Sequence, residues 1–152
     1  MQHVTLAAIM FLATTLVTPA LAGSEDVVIE DPWARAAIGT DRPGAAYMSV
    51  RNIGDDAVTL TGLKTPLAMR TEIHQTTTDA AGVSSMAPAG AIVIPPGDSV
   101  TLKPGGLHAM LMKLQAPMTE GEMFPLTLVF SDGGEVTIDV PVLSVAARGP
   151  SH

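Results

Sequence analysis

Four side chains in this 152-residue chain have the types and the spacing of a soft-metal site. His108 and Met110 are separated by Ala109 in the β-prone run Leu107 to Leu114. Residues i and i+2 of a strand project to the same face, so an imidazole and a thioether stand side by side there, and Met112 continues the row. His74 and Met86 flank a polar, turn-forming stretch, Gln75 to Ser85, with Asp79-Ala80-Ala81-Gly82 at its middle. A hairpin turning at Ala80 to Ala81 pairs residues whose numbers sum to about 160, which puts His74 opposite or diagonal to Met86 with Cβ atoms about 5–8 Å apart. Two imidazoles and two thioethers can then converge from two hairpin elements.

Such a donor set is neutral and holds neither carboxylate nor thiolate. Thioethers favour Cu(I), whereas Zn(II), Mg(II) and Ca(II) take imidazole, carboxylate or water oxygen. A Met ligand needs no deprotonation and forms no disulfide, which suits an oxidising compartment. Taken singly, each residue has a plain structural reading: Met fills gaps in cores and a strand His finds a hydrogen bond. Met48, Met69, Met112, Met118 and Met123 are read in that way, as packing or incidental, and His152 as incidental. The combination of His74, Met86, His108 and Met110 is what points to metal.

Composition narrows the alternatives. The chain has no Cys, which removes disulfides, thiolate zinc sites, Fe–S clusters, a Cys nucleophile and the His₂Cys blue-copper site. Beyond the leader described below, the histidines are His74, His108 and His152, too few for a Cu/Zn superoxide dismutase, and no G-x-S-x-G elbow, P-loop or H-E-x-x-H is present. With 15 acidic and 8 basic residues the net charge is −7, which argues against nucleic acid as a partner. The acids are scattered at turns and strand edges and read as a solvated surface rather than a paired-carboxylate hydrolase.

The elements that would position these residues are short strands. Residues 1–22 read as a secretory signal peptide, with an apolar stretch from Val4 to Val17, Pro19, and Ala20-Leu21-Ala22 as the cleavage site. The apolar run is shorter than the roughly 20 residues a spanning helix needs, so cleavage, export and no remaining membrane span are expected, with a retained membrane anchor as the alternative. Residues 23–145 form one domain. After an acidic leader, Ser24 to Asp31, come candidate strands Ala45–Arg51, Ala57–Leu63, Arg70–His74, Ala91–Ile94, Ser99–Lys103, Leu107–Leu114, Pro125–Phe130 and Glu135–Val140. In the last of these Val136, Ile138 and Val140 alternate with polar residues, the mark of a half-buried strand. Asp132-Gly133-Gly134 joins the final two runs as a hairpin. No segment has a sustained helical period, so the expected class is all-β, an antiparallel sandwich of cupredoxin-like or immunoglobulin-like type. Residues 146–152 read as a disordered tail.

These residues and spacings resemble the periplasmic copper chaperone family of the PCu(A)C type. Its motif runs His, optionally Met, ten residues, Met, twenty-one residues, His-x-Met; here His74-Gln75, ten residues, Met86, twenty-one residues and His108-Ala109-Met110 match every spacing. Asp31-Pro32-Trp33-Ala34-Arg35-Ala36, Gly44-Ala45-Ala46-Tyr47-Met48 leading to Asn52, Ile94-Pro95-Pro96-Gly97 and Pro104 to Met112 also look like the family, so the likeness spans Ile29 to Val142. The resemblance implies a cupredoxin-like β-sandwich that binds one Cu(I) through His74, Met86, His108 and Met110. It implies a carrier rather than an enzyme, handing the ion to a periplasmic acceptor such as the CuA centre of cytochrome c oxidase or another copper chaperone. Gln75 departs from the pattern by standing where many members have a second Met. The chain also lacks a His- and Met-rich C-terminal extension, so a single site is expected. Two other readings compete: a β-sandwich interaction module whose Met and His are structural, and a copper-dependent redox enzyme, which would need more imidazole to hold Cu(II).

Overall fold

The computed structural model describes residues 23–150; the segment read as a signal peptide and His152 lie outside the described residues. A 3-10 turn, Ser24–Asp26, leads into ten strands: β1 Val27–Arg35, β2 Gly44–Asn52, β3 Val58–Lys64, β4 Ala68–Thr78, β5 Ser84–Pro88, β6 Ile92–Ile94, β7 Ser99–Leu102, β8 Leu107–Leu114, β9 Met123–Phe130 and β10 Glu135–Leu143. The fold is all-β, and no α-helix occurs among the described residues. One sheet runs β5-β4-β8-β2-β1, with β7 also pairing β2, and the other runs β10-β9-β3-β6. The two meet where β1 runs parallel to β10, Ala34 beside Val142 and Arg35 beside Leu143. That one parallel pair departs from the all-antiparallel expectation. Every other pairing between named strands is antiparallel.

Strand alternation builds the core. Ala46, Met48 and Val50 of β2 and Ala109 and Leu111 of β8 face Leu60 of β3, Leu126 and Leu128 of β9 and Val140 of β10 in one buried cluster. Each fully buried Leu or Val contributes about 1.5–3 kcal/mol relative to an exposed one. Asn52 is buried in the same region without leaving a polar atom open. Its amide donates to the carbonyls of Asp56 and Ile94 at 2.7 and 3.0 Å and its carbonyl accepts from Gly54 N–H at 2.9 Å. Gly44 opens β2 where any Cβ would lie 2.2 Å from Met118 Sδ, so Met118 stays buried against the strand end.

The segment expected to be a leader is structured instead. Val27 to Glu30 pair with β2, the register shifts between Glu30 and Trp33, and Asp31 adopts φ 50° beside Pro32. Proline cannot donate to a ladder and sits in strands mainly at bulges, so a Pro inside this run masked a strand that tertiary pairing supports on both sides. The bulge resets which face follows it and presents Trp33 on the side away from the core cluster. The β4–β5 hairpin takes the diagonal of the two expected placements, with Thr76 opposite Met86 and His74 opposite Pro88. The turn accounts for this: Asp79 pairs with Val83 around three loop residues, Gly82 takes φ 81°, and the Asp79 carboxylate accepts the N–H groups of Ala81 and Val83. At the other end of the chain, Ala147 N–H donates to the Ser144 carbonyl and its own carbonyl accepts from Arg35 Nε.

Candidate metal centre

β4 and β8 are neighbours, and their register sets His74 directly opposite His108 and Glu72 opposite Met110. Ile73 and Ala109, the intervening pair, belong to the core, so both histidines and Met110 project from the opposite face of the sheet. The hairpin then brings Met86 in from β5, diagonal to His74 and opposite Thr76. All four residues singled out by their spacing therefore lie on one outward sheet face, on three adjacent strands. They differ in access: His108 is 6% exposed, while Met86, on the edge strand, is 59% exposed.

Hydrogen bonds define which nitrogen of each ring is free. His74 Nε2 lies 2.9 Å from Glu72 Oε2, and His108 Nδ1 lies 3.1 Å from the Gly106 carbonyl oxygen. Both partners only accept, so each of these nitrogens carries the proton. That leaves lone pairs on His74 Nδ1 and His108 Nε2. Among the described residues, the buried His74 Nδ1 has no hydrogen-bond partner, an arrangement that costs about 1–3 kcal/mol where it stays unpaired. The ring centroids are 6.1 Å apart at an interplanar angle of 61°. With metal–nitrogen bonds of about 2.0–2.1 Å, an imidazole centroid lies roughly 3 Å from an ion it holds, so the two rings are near enough for an ion to bridge them. Imidazole lone pairs and thioether sulfurs together make a soft, uncharged donor set.

Outer contacts hold the imidazoles in place. The Gly106 carbonyl accepts from both His108 Nδ1 and Thr76 N–H, tying the loop before β8 to β4. Arg70 donates from Nε and Nη2 to the second oxygen of Glu72. Hydrogen bonds from His74 and then Arg70 hold the Glu72 carboxyl below its ordinary range. A carboxylate bonded to the distal nitrogen of a metal-binding imidazole is a recurring way to fix its tautomer and direction. Sequence reasoning passed over Glu72, although Arg70, Glu72 and His74 alternate in a strand that it did identify.

Gln75, the departure from the family motif, is on the alternate face of β4, and its amide donates to the Thr76 carbonyl at 2.8 Å. Met112 shares the face of Met110 one step along, opposite Arg70. Met48 and Met118 are buried core residues, as their packing role requires, whereas Met69 and Met123 are exposed. Near these residues, Trp33 and Tyr47 pair across β1 and β2 with ring centroids 4.5 Å apart, and Arg35 lies over both. Burial pushes the Tyr47 hydroxyl above its ordinary pKa, with Arg35 pulling in the opposite direction.

Two β-sheets joined through a parallel β1–β10 pair, with imidazole and thioether aligned on an outer face, define a domain of the PCuAC type. The chain belongs to the family described as "Putative lipoprotein LpqE-like", whose model matches residues 27–142. It is similar to the "Putative lipoprotein Lxx21020" of Leifsonia xyli subsp. xyli (strain CTCB07), at 32% identity over 129 residues, 85% of this chain and 76% of that protein. Among solved structures it is similar to the apo PCuAC domain of PmoF2, with TM-score 0.66 and 33% identity over 82% of this chain and 95% of that one. It is also similar to the CuI form of DR1885 from Deinococcus radiodurans, with TM-score 0.59 and 31% identity over 79% of this chain and 81% of the other.

Proposed function

We propose that this protein is an exported copper carrier. It takes one Cu(I) as cargo through His74 Nδ1, His108 Nε2 and the sulfurs of Met86 and Met110, and passes it to an acceptor in the periplasm. The CuA centre of cytochrome c oxidase, or a second copper chaperone, is the class of acceptor that the family suggests. The observation that carries this reading is the buried, unpartnered Nδ1 of His74 in a ring 6.1 Å from that of His108. A lone pair left open in a buried position is unfavourable for a purely structural histidine and is what a metal ligand requires. Copper in the similar Deinococcus protein supports the choice of ion. Uncharged soft donors hold Cu(I) without a thiolate, and the exposed Met86 offers the side from which an acceptor's ligands can replace this chain's own one at a time. In this reading nothing is turned over.

Anaerobic competition for Cu(I) with a chromophoric chelator tests the proposal. One equivalent should be withdrawn by the wild-type protein, and His108→Ala or Met110→Ala should return it to the chelator while the circular dichroism spectrum stays unchanged. A wild-type protein that leaves all the copper with the chelator would restore the interaction-module reading. Four single variants with undiminished affinity would remove these residues as ligands.

A further inference from the structure

A cavity of about 420 Å³ opens beside the candidate metal centre; Met86, His108 and Met110 line it together with Arg35, Arg42 and Tyr47, and prolines and small residues complete the wall. Small-ligand sites commonly enclose about 300–1,000 Å³, so the space admits a small organic group. Its charge is the reverse of the molecule's. Acids outnumber bases 15 to 8 in the chain, yet among the described residues no Asp or Glu lines this cavity and both of its permanently charged side chains are arginines.

Arg35 is held in position before any ligand arrives. Its Nε donates to the Ala147 carbonyl at 2.8 Å, and its guanidinium carbon sits 5.8 Å from the Trp33 ring centroid and 5.7 Å from that of Tyr47. Among the described residues, none of its remaining N–H groups is spent on an acid. The ion pairs among the described residues involve Arg51, Lys64, Arg70 and His74, and neither Arg35 nor Arg42. A planar guanidinium matches the geometry of a carboxylate, and a fixed one loses little freedom on binding it. Bound cargo would strengthen the demand for an anion. Two imidazoles and two thioethers carry no charge, so Cu(I) among them keeps its positive charge, and the nearby Glu72 is already engaged by His74 and Arg70.

We propose that this cavity is a binding site for a carboxylate-bearing organic anion, seated on Arg35 and Arg42 beside the metal cargo. The site itself stands on the cavity; its coupling to metal rests on the copper reading above. Because coupling between binding sites is reciprocal, an anion that prefers the loaded protein also tightens its hold on Cu(I). Release of the anion, or its displacement by a partner, then loosens the metal.

The test is an NMR titration of the protein, metal-free and Cu(I)-loaded under anaerobic conditions, following Arg35 Nε–H and the Trp33 indole. The probes are succinate, N-acetyl-glutamate amide, whose one charge is its side-chain carboxylate, and succinamide as the uncharged control. Succinate, the glutamate derivative or both should shift the two signals saturably while succinamide does not, and the tighter of the two separates a free diacid from a protein side chain as the source. Arg42→Ala, at an exposed position, should weaken the carboxylate about tenfold, and copper loading should tighten it about fivefold or more. Absence of saturable shifts with both acids, or undiminished binding by Arg42→Ala, overturns the site. Equal affinity with and without copper overturns the coupling. A protein that fails to bind Cu(I) loses the copper reading alone, since the metal-free titration is read independently.

Discussion

Met86 is 59% exposed, Met69 72% and Met123 66%, whereas Met48 and Met118 are buried. Exposure governs thioether oxidation, so mild peroxide should convert Met69, Met86 and Met123 to sulfoxides in the metal-free protein and spare Met48 and Met118. Cu(I) loading should protect Met86 and leave Met69 and Met123 as reactive as before. Peptide mass spectrometry of the two oxidised samples checks this; equal oxidation of Met86 in both would count against its place in the site. Glu72 supports a second expectation. Its carboxylate fixes the proton of His74 on Nε2, and loss of such an outer partner typically costs 10–100-fold in metal affinity, so Glu72→Gln should weaken Cu(I) binding by about that factor. Nitrogen-15 NMR of the metal-free variant should show His74 redistributed between tautomers, a change that a merely structural role would not produce.

The β4–β5 hairpin delivers Met86, yet every residue of β5 is exposed. Its placement therefore depends on the turn and the ladder rather than on the core. Gly82 at φ 81° occupies the left-handed region, where a side chain costs about 1–2 kcal/mol. Gly82→Ala should speed hydrogen exchange of the β5 amides and lower Cu(I) affinity, with the melting temperature of the whole domain barely changed. A large drop in melting temperature would mean that the hairpin is part of the cooperative core. The bulge in β1 has the opposite character. Asp31 and Pro32 interrupt a strand paired on both sides, and the interruption presents Trp33 to Arg35 and Tyr47 instead of to the core.

Tyr47 is the only tyrosine in the chain, so the tyrosinate absorbance reports a single site in the whole molecule. Its pKa is raised by burial above the ordinary 10.0. Below that value the hydroxyl is neutral in both folded and unfolded protein, and the stability tied to it is fully present. As pH rises past 10.0 the unfolded chain ionises first, so stability falls through the window up to the folded value. A spectrophotometric titration should place the step above pH 10.0, and thermal melts across it should decline as the pH rises. Arg35→Ala should move the step higher still, because the favourable charge beside the phenolate is lost. A step at or below the ordinary value would show that the Trp33–Tyr47 unit is open to solvent.

The donor types and much of the strand framework were legible from the residues alone. Strand side chains alternate with a period of two, so His108 and Met110 share a face wherever the strand lies, and the absence of Cys excludes the thiolate sites whatever the fold. The polar stretch after His74 marked a hairpin, although its register followed from a three-residue loop that only the backbone conformation of Gly82 reveals. What tertiary structure decided is the meeting of β4 with β8. His74 and His108 belong to strands with three others between them in the chain, and nothing local sets them opposite each other; that follows from the way the whole sheet is ordered around its core. The same ordering brings Arg35 of β1 beside His108 of β8 in one cavity, an association of residues more than seventy positions apart that local periodicity and turn chemistry do not encode.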